Sequence, residues 1–183
     1  MPIVEFIGMA RSGKSTVAQY LEQTLPNLTF YPERYDLVPD SVRGKDFEQN
    51  FWVASSCVDQ LEKALKKPGI NLFERGVIDH IIIGKTYHKM GWFTQAQLEQ
   101  YLSLLNPYQN KVDKILVFRV PVEVSVQRAK DAGKDVTNAI PYLTALYKEY
   151  GRVNAWIPTA IYLPENSSLE QLKQLTSREV QNL

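Results

Sequence analysis

Long apolar runs are missing from these 183 residues, and no stretch approaches the ~20 consecutive apolar residues that span a membrane. An excess of one charge is missing too. Lys and Arg number 21 against 20 Asp and Glu, which argues against a broad nucleic-acid footprint or an anionic membrane surface. Cysteine is nearly absent. Cys57 stands alone, so no internal disulfide can form and a reducing, cytoplasmic setting is expected. It lies among apolar residues of a helical pattern, as a small buried hydrophobe does. The two histidines, His80 and His88, share no zinc-type spacing with it and read as ordinary helix residues. No leader pattern precedes the first apolar run, and repeats and low-complexity stretches are lacking. What is present is a length suited to one domain, 1–183, with a substantial core.

Within that domain one segment carries a specific chemistry. Gly8-Met-Ala-Arg-Ser-Gly13-Lys14-Ser15 fits the pattern G-x-x-x-x-G-K-[ST]. The apolar run Ile3–Ile7 precedes it, and a helical stretch opening Lys14-Ser15-Thr16-Val17-Ala18 follows. In that setting the glycines turn the backbone so that successive N–H groups face phosphate oxygens, and the helix adds its positive end. The residues expected around a bound triphosphate are Gly8, Ala10, Arg11, Ser12, Gly13, Lys14, Ser15 and Thr16. Lys14 reaches the β- and γ-phosphates, and the Ser15 hydroxyl sits on Mg²⁺.

The rest of the chain alternates short β-rich runs with longer helical patterns, which predicts a parallel sheet covered on both faces. Strands are expected at Ile3–Ile7, Leu28–Tyr31, Ile70–Phe73, Ile115–Val120 and Ala160–Leu163, with a loop over 32–45. Phe47, Phe51, Ala54, Val58, Leu61 and Leu65 mark a helix ended by Pro68-Gly69, and Val77–Met90 another stopped by Gly91. Thr94 and Gln97 have capping-box spacing, and a helix opens at Pro121. Residues 129–137 are polar and break the pattern. A long helix from about Thr137 to Trp156 is predicted, with Ile140, Leu143, Tyr147, Tyr150 and Val153 on one stripe. Ser167 and Glu170 are read as the cap of a final helix facing Leu169, Leu172 and Leu175 inward. The fold class is a three-layer α/β/α sandwich with a five-stranded parallel sheet. Ligands of such sheets lie beyond the carboxyl ends of the strands.

Three strand ends carry charge. Pro32-Glu33-Arg34-Tyr35-Asp36 follows the second strand, and Glu74-Arg75-Gly76 the third, with Asp79 a turn later. Gln127-Arg128, Lys130 and Lys134 follow the fourth. Phosphoryl transfer needs a metal, cations on the migrating group and a residue that deprotonates or orients the acceptor.

With these pieces in order, the chain resembles the deoxynucleoside kinase and thymidylate kinase group of small P-loop kinases. Pro32-Glu33-Arg34 is similar to that group's P-E-P motif and Glu74-Arg75-Gly76 to its E-R-S motif. Residues 140–150, Ile-Pro-Tyr-Leu-Thr-Ala-Leu-Tyr-Lys-Glu-Tyr, resemble the helix after its basic lid. The likeness runs from about residue 3 to 165. It implies a P-loop nucleoside triphosphate hydrolase fold of the nucleoside-monophosphate-kinase type, with a mobile lid at about 129–137. It further implies ATP and Mg²⁺ as cofactors and transfer of the γ-phosphoryl group to a small hydroxyl compound, by a chain that pairs as a homodimer.

By the same resemblance Glu33 is the general base, and Glu74 binds Mg²⁺ with Ser15. Arg75 clamps phosphate or acceptor, while Arg128 and Lys134 are lid cations. Arg34, Trp52 and Asp79 complete the candidate acceptor contacts, Trp52 as a surface for a flat base. The sequence departs from the family in three places. Its lid holds lysines where the family has arginines, and Gly76 stands for the motif's serine. Trp52, Ser55 and Asp59 occupy the stretch where the family reads the base with glutamine and arginine. The acceptor therefore stays open between a nucleoside, a nucleoside monophosphate held by Arg34, Arg43 and Arg75, and another small hydroxyl compound. A nucleotide-dependent switch is the reading from another class, yet no strand ends in an aliphatic run plus Asp, and no Asn-Lys-x-Asp occurs.

Overall fold

Runs that are apolar on both faces stay dry only between two layers of helices, and five such runs here form one parallel sheet. The computed structural model describes residues 1–44 and 46–183, with the backbone alone at 137. Lys45, the last residue of the expected 32–45 loop, lies outside the described residues, as does the side chain of Thr137. The strands are β1 (Ile3–Gly8), β2 (Leu28–Tyr31), β3 (Ile70–Glu74), β4 (Lys114–Phe118) and β5 (Ile161–Leu163), in the order β2-β3-β1-β4-β5. The helices are α1 (Lys14–Thr24), α2 (Asp46–Ala64), α3 (Val77–Lys89), α4 (Gln95–Leu105), α5 (Val122–Asp131), α6 (Ile140–Tyr150) and α7 (Leu169–Gln181).

Side chains alternate across β1 and sort the core. Val4 and Phe6 pack with Leu21 of α1, Leu172 and Val180 of α7 and Leu116 of β4. Ile3 and Ile7 face the opposite layer, where Cys57, Ile81, Phe93, Tyr101, Leu146 and Tyr150 are buried. The chain runs from β1 out to β2, returns to β3 beside β1, and then crosses to β4 on the other side. The order thus reverses at β1, and a crevice opens at the carboxyl end of that central strand.

Several expected boundaries move. The predicted 137–156 helix is three pieces: a 3₁₀ turn at Thr137–Ala139, α6, and a second 3₁₀ turn at Val153–Ala155. Tightened bonds such as Arg152 N–H to Glu149 O wind α6 down after Tyr150, although Val153 still reaches the core. β4 stops at Phe118, and α5 begins at Val122 with an extended Pro121 before it. Residues 129–131 complete α5, so the non-helical part of the polar segment is shorter than 129–137. α7 is capped by Ser168 with Gln171, one residue later than read. That shift turns Leu169 and Leu175 to solvent and buries Leu172, Thr176 and Val180. The capping box of Thr94 and Gln97 forms both of its bonds.

Candidate active site

The loop after β1 is shaped by close approach. A Cβ on Gly8 would stand 2.0 Å from the Phe118 carbonyl oxygen, and φ is 129° there, so only glycine fits. Met9 N–H donates to that same carbonyl at 3.0 Å, locking the loop to β4. Arg11 holds a left-handed backbone, φ 57°. From α5, Ser125 Oγ donates to the Ala10 carbonyl at 2.8 Å and an Arg128 Nη to the Arg11 carbonyl at 2.9 Å. The N-cap of α1 is Gly13, which has no side chain to satisfy the first-turn N–H groups. Those donors and the helix dipole make an anion seat.

Lys14 curls beneath this seat. Its Nζ donates to the carbonyls of Gly8 (3.1 Å) and Met9 (2.7 Å) and to Ser12 Oγ (3.4 Å). Burial, and then the Arg75 guanidinium, bring its pKa down to about 8. An arriving phosphate would supply the opposite charge that the loop carbonyls offer only as dipoles.

The two neighbouring strand ends deliver the acidic groups. Ser15 Oγ donates to Glu74 Oε1 at 2.6 Å, joining the loop to the end of β3. Arg75, next in the chain, also has a left-handed backbone, φ 56°, a strain of about 1–3 kcal/mol that clusters at functional sites. Its N–H donates to the Phe6 carbonyl at 3.1 Å. Its side chain is held on both sides, Nε 3.1 Å from Glu33 Oε2 and an Nη 2.8 Å from Asp79 Oδ2. Burial pushes the Glu33 carboxyl above its ordinary pKa although Arg75 pulls it down, which suits a base that must take a proton.

A cleft of about 630 Å³ runs between these groups. It is lined by the loop from Ala10 to Thr16 and by Glu33, Asp36, Glu74, Arg75 and Arg128. Gly8 lies beneath it. Four expected contacts are elsewhere. Asp79 is fully buried below Arg75, where its second oxygen accepts Gly8 N–H at 3.3 Å, so it braces the site from behind and does not face the cleft. Arg34 turns toward α2, donating to Ser56 Oγ at 3.1 Å with Asp59 at 4.0 Å. Trp52, also on α2, does not line the cleft, and Phe51 packs with Phe47 and Tyr101 in the core. Lys134 is exposed beyond the end of α5, and its N–H closes a turn onto the Ala129 carbonyl.

Two further residues take part that the sequence motifs do not place at the site. The Tyr150 hydroxyl is 3.5 Å from an Arg75 Nη. Glu5, in the middle of β1, is 1% exposed and accepts Ile78 N–H at 2.9 Å. Burial raises its pKa to about 8. A charged residue with apolar neighbours on both sides, Ile3-Val-Glu5-Phe-Ile7, was the available signal. His80, buried, pairs its Nδ1 with the Tyr101 hydroxyl at 3.1 Å, and burial lowers its pKa to about 4, as expected of a packed histidine. All the oxygens around Ser15 and Glu74 are hard donors of the kind Mg²⁺ accepts. No cluster of three or more His, Cys, Asp or Glu side chains able to hold a metal occurs among the described residues. This composition fits an ion that shares its coordination with phosphate oxygens.

No family model matches the chain, and no curated protein matches it in sequence. Solved structures do match in fold. The deoxyadenosine kinase of M. mycoides with the products dCMP and a flexible dCDP superposes with a TM-score of 0.78 at 17% identity, covering 99% of this chain and 100% of that one. The same kinase with dATP gives 0.77 at 15%, and with dCTP 0.79 at 16%, each with the same coverage. The chain therefore has the P-loop deoxynucleoside kinase fold over 99% of its length, a five-stranded parallel sheet between helical layers. No helix among the described residues is long and apolar enough to cross a membrane.

Proposed function

We propose that the chain is an ATP-dependent kinase that moves the γ-phosphoryl group of ATP to a hydroxyl of a nucleoside or a similar small molecule. The observation that carries this reading is the convergence, in one cleft, of the phosphate loop, the Ser15–Glu74 pair and the Glu33–Arg75 pair. A fold shared with a deoxyadenosine kinase solved with dCMP and dCDP, with dATP and with dCTP supports it. The loop from Ala10 to Thr16 would hold the triphosphate tail, with its amides and Lys14 as the donors to phosphate oxygens. Ser15 and Glu74 would hold Mg²⁺, which would supply positive charge to the transferring group when bound. Glu33 accepts the proton of the acceptor hydroxyl as its oxygen bonds to the γ-phosphorus, and the bond from that phosphorus to the bridging oxygen of ADP breaks. Arg75 and Arg128 stabilise the charge spread over the equatorial oxygens. The 129–137 segment, the end of α5 and the turn after it with Lys134, is the lid. We place the enzyme in the cytoplasm, where Cys57 stays reduced, as one domain over 1–183 that pairs as a homodimer.

Two of the three arginines a nucleoside monophosphate would need are engaged elsewhere. Arg34 is held by α2, and Arg43 caps the Asp36 and Val38 carbonyls beside Asp40. This favours an acceptor that brings a hydroxyl without a phosphate of its own. A screen with labelled ATP and Mg²⁺ over nucleosides, nucleoside monophosphates and sugars tests the reading. ADP release stimulated by one acceptor class is expected. Release indifferent to every acceptor would replace the kinase with a nucleotide switch.

A further inference from the structure

The E-R-S motif ends here in Gly76, and its backbone does not call for glycine: φ is −76°, open to any residue. Space is the reason. A Cβ at Gly76 would stand 2.3 Å from both the carboxyl carbon and Oε1 of Glu5, and that side chain is itself fully packed in β1. Gly76 is also the N-cap of α3, and no side chain of its own caps the helix. An N-cap residue ordinarily accepts the N–H of the second or third helical residue. Glu5 Oε2 takes that bond, from Ile78, the second residue of α3, at 2.9 Å. The cap has been moved from the helix's own N-terminal residue to β1, the strand paired beside β3.

The consequence falls on the cleft. The first turn of α3 carries Asp79, whose two oxygens hold Arg75 and the Gly8 amide. Arg75 in turn holds Glu33. Glu5 lies on the same strand that ends in the phosphate loop, so one carboxyl group ties the loop's strand to the turn that aims the guanidinium.

We infer that Glu5 is a positioning residue for Arg75, acting as the side-chain cap of α3 from β1, and that Gly76 is its required steric complement. The inference deepens the kinase reading and rests on it for its kinetic consequence, but the cap itself is observable without activity.

Four full-length variants test it: Glu5→Ala, Glu5→Gln, Gly76→Ser and the double Glu5→Ala/Gly76→Ser. In ligand-free protein, amide exchange at 77–79 and the Arg75 Nε–H resonance report the cap and the guanidinium. Glu5→Ala is expected to speed exchange there roughly fivefold and to move the Arg75 signal. Glu5→Gln keeps an acceptor oxygen and is expected to leave both near wild type. Gly76→Ser alone collides with Glu5. In the double variant the serine caps its own helix in the space that Glu5 vacates, and both signals return. With deoxyadenosine and MgATP, kcat of Glu5→Ala is expected to fall roughly 10- to 100-fold, with recovery in the double variant. KM for MgATP is expected to stay within about twofold, because the loop remains bonded to β4. Unchanged exchange in Glu5→Ala, or a double variant as impaired as its two singles combined, overturns the inference. Should Gly76→Ser fail to fold, the double variant and Glu5→Gln still decide. If wild-type protein leaves deoxyadenosine unphosphorylated, that acceptor is lost to the kinase reading, and exchange and the Arg75 signal alone decide the cap.

Discussion

Arg75 holds the carboxylate of Glu33 on one side and that of Asp79 on the other, and the two contacts have different purposes. Asp79 is sealed from solvent and fixes the guanidinium against the loop; Glu33 lines the cleft, where on the proposed reading it meets the acceptor. The two carboxylates therefore predict different kinetics. Glu33→Gln is expected to lower kcat by ~10²-fold or more while binding of an ATP analogue stays near wild type, measured by steady-state kinetics beside calorimetry. A near-normal kcat would transfer the base assignment to Asp36, which also lines the cleft. Lys14→Ala is expected to cost ~10²-fold or more in kcat, since among the described residues no other ammonium is bonded to the loop carbonyls of Gly8 and Met9. The phosphate loop was legible in the sequence because its chemistry is local, with the turning glycines and the Lys14 and Ser15 side chains in one stretch. Asp79 was legible only as an acid near the site. Its burial depends on α3 lying over β1, which spacing along the chain does not encode.

Secondary elements were recognisable where an apolar period was backed by a cap. Leu28–Tyr31 and the Thr94 box stand as read. Where two serines adjoin, at 167 and 168, the motif fits at either register, and packing of Leu172, Thr176 and Val180 chooses the second. Ser168→Ala is accordingly expected to cost about 1 kcal/mol and to lower Tm by roughly 2–4 °C, whereas Ser167→Ala should leave Tm unmoved. Calorimetry of the two variants distinguishes the registers. α5 has a similar double part, burying Ser125 under the loop while its last turn presents Arg128. Arg128→Ala is expected to reduce kcat by ~10²-fold, and Arg128→Lys to recover part of it, because an ammonium supplies charge without the planar bidentate fork. Single-turnover rates separate this effect from slow product release.

Over the whole molecule, one contribution to the pH dependence of stability comes from Glu5 in the central strand of the sheet. Glu5 titrates near 8 in the fold against 4.5 as its ordinary value, because burial disfavours its charge. A raised carboxyl pKa means that the folded state holds the proton more tightly than the unfolded chain. The associated stability is complete below about pH 4.5 and is lost as pH rises through about 8. Glu5→Gln has no proton to release, so its Tm should gain on wild type steadily between about pH 5 and pH 9. Parallel melting curves across that range would refute the assignment. Strand order escaped the sequence altogether, since periodicity reports which residues are buried and not which strand lies beside which. It is the order β2-β3-β1-β4-β5 that gives the molecule its division of labour. On the proposed reading, everything that meets the acceptor comes from the β2–β3 flank, and the α5 contacts to the loop come from the β4 flank. Substrate preference and nucleotide use can then drift separately under selection, so a library that retrains this catalyst for a new alcohol need vary only the segments from β2 to α3.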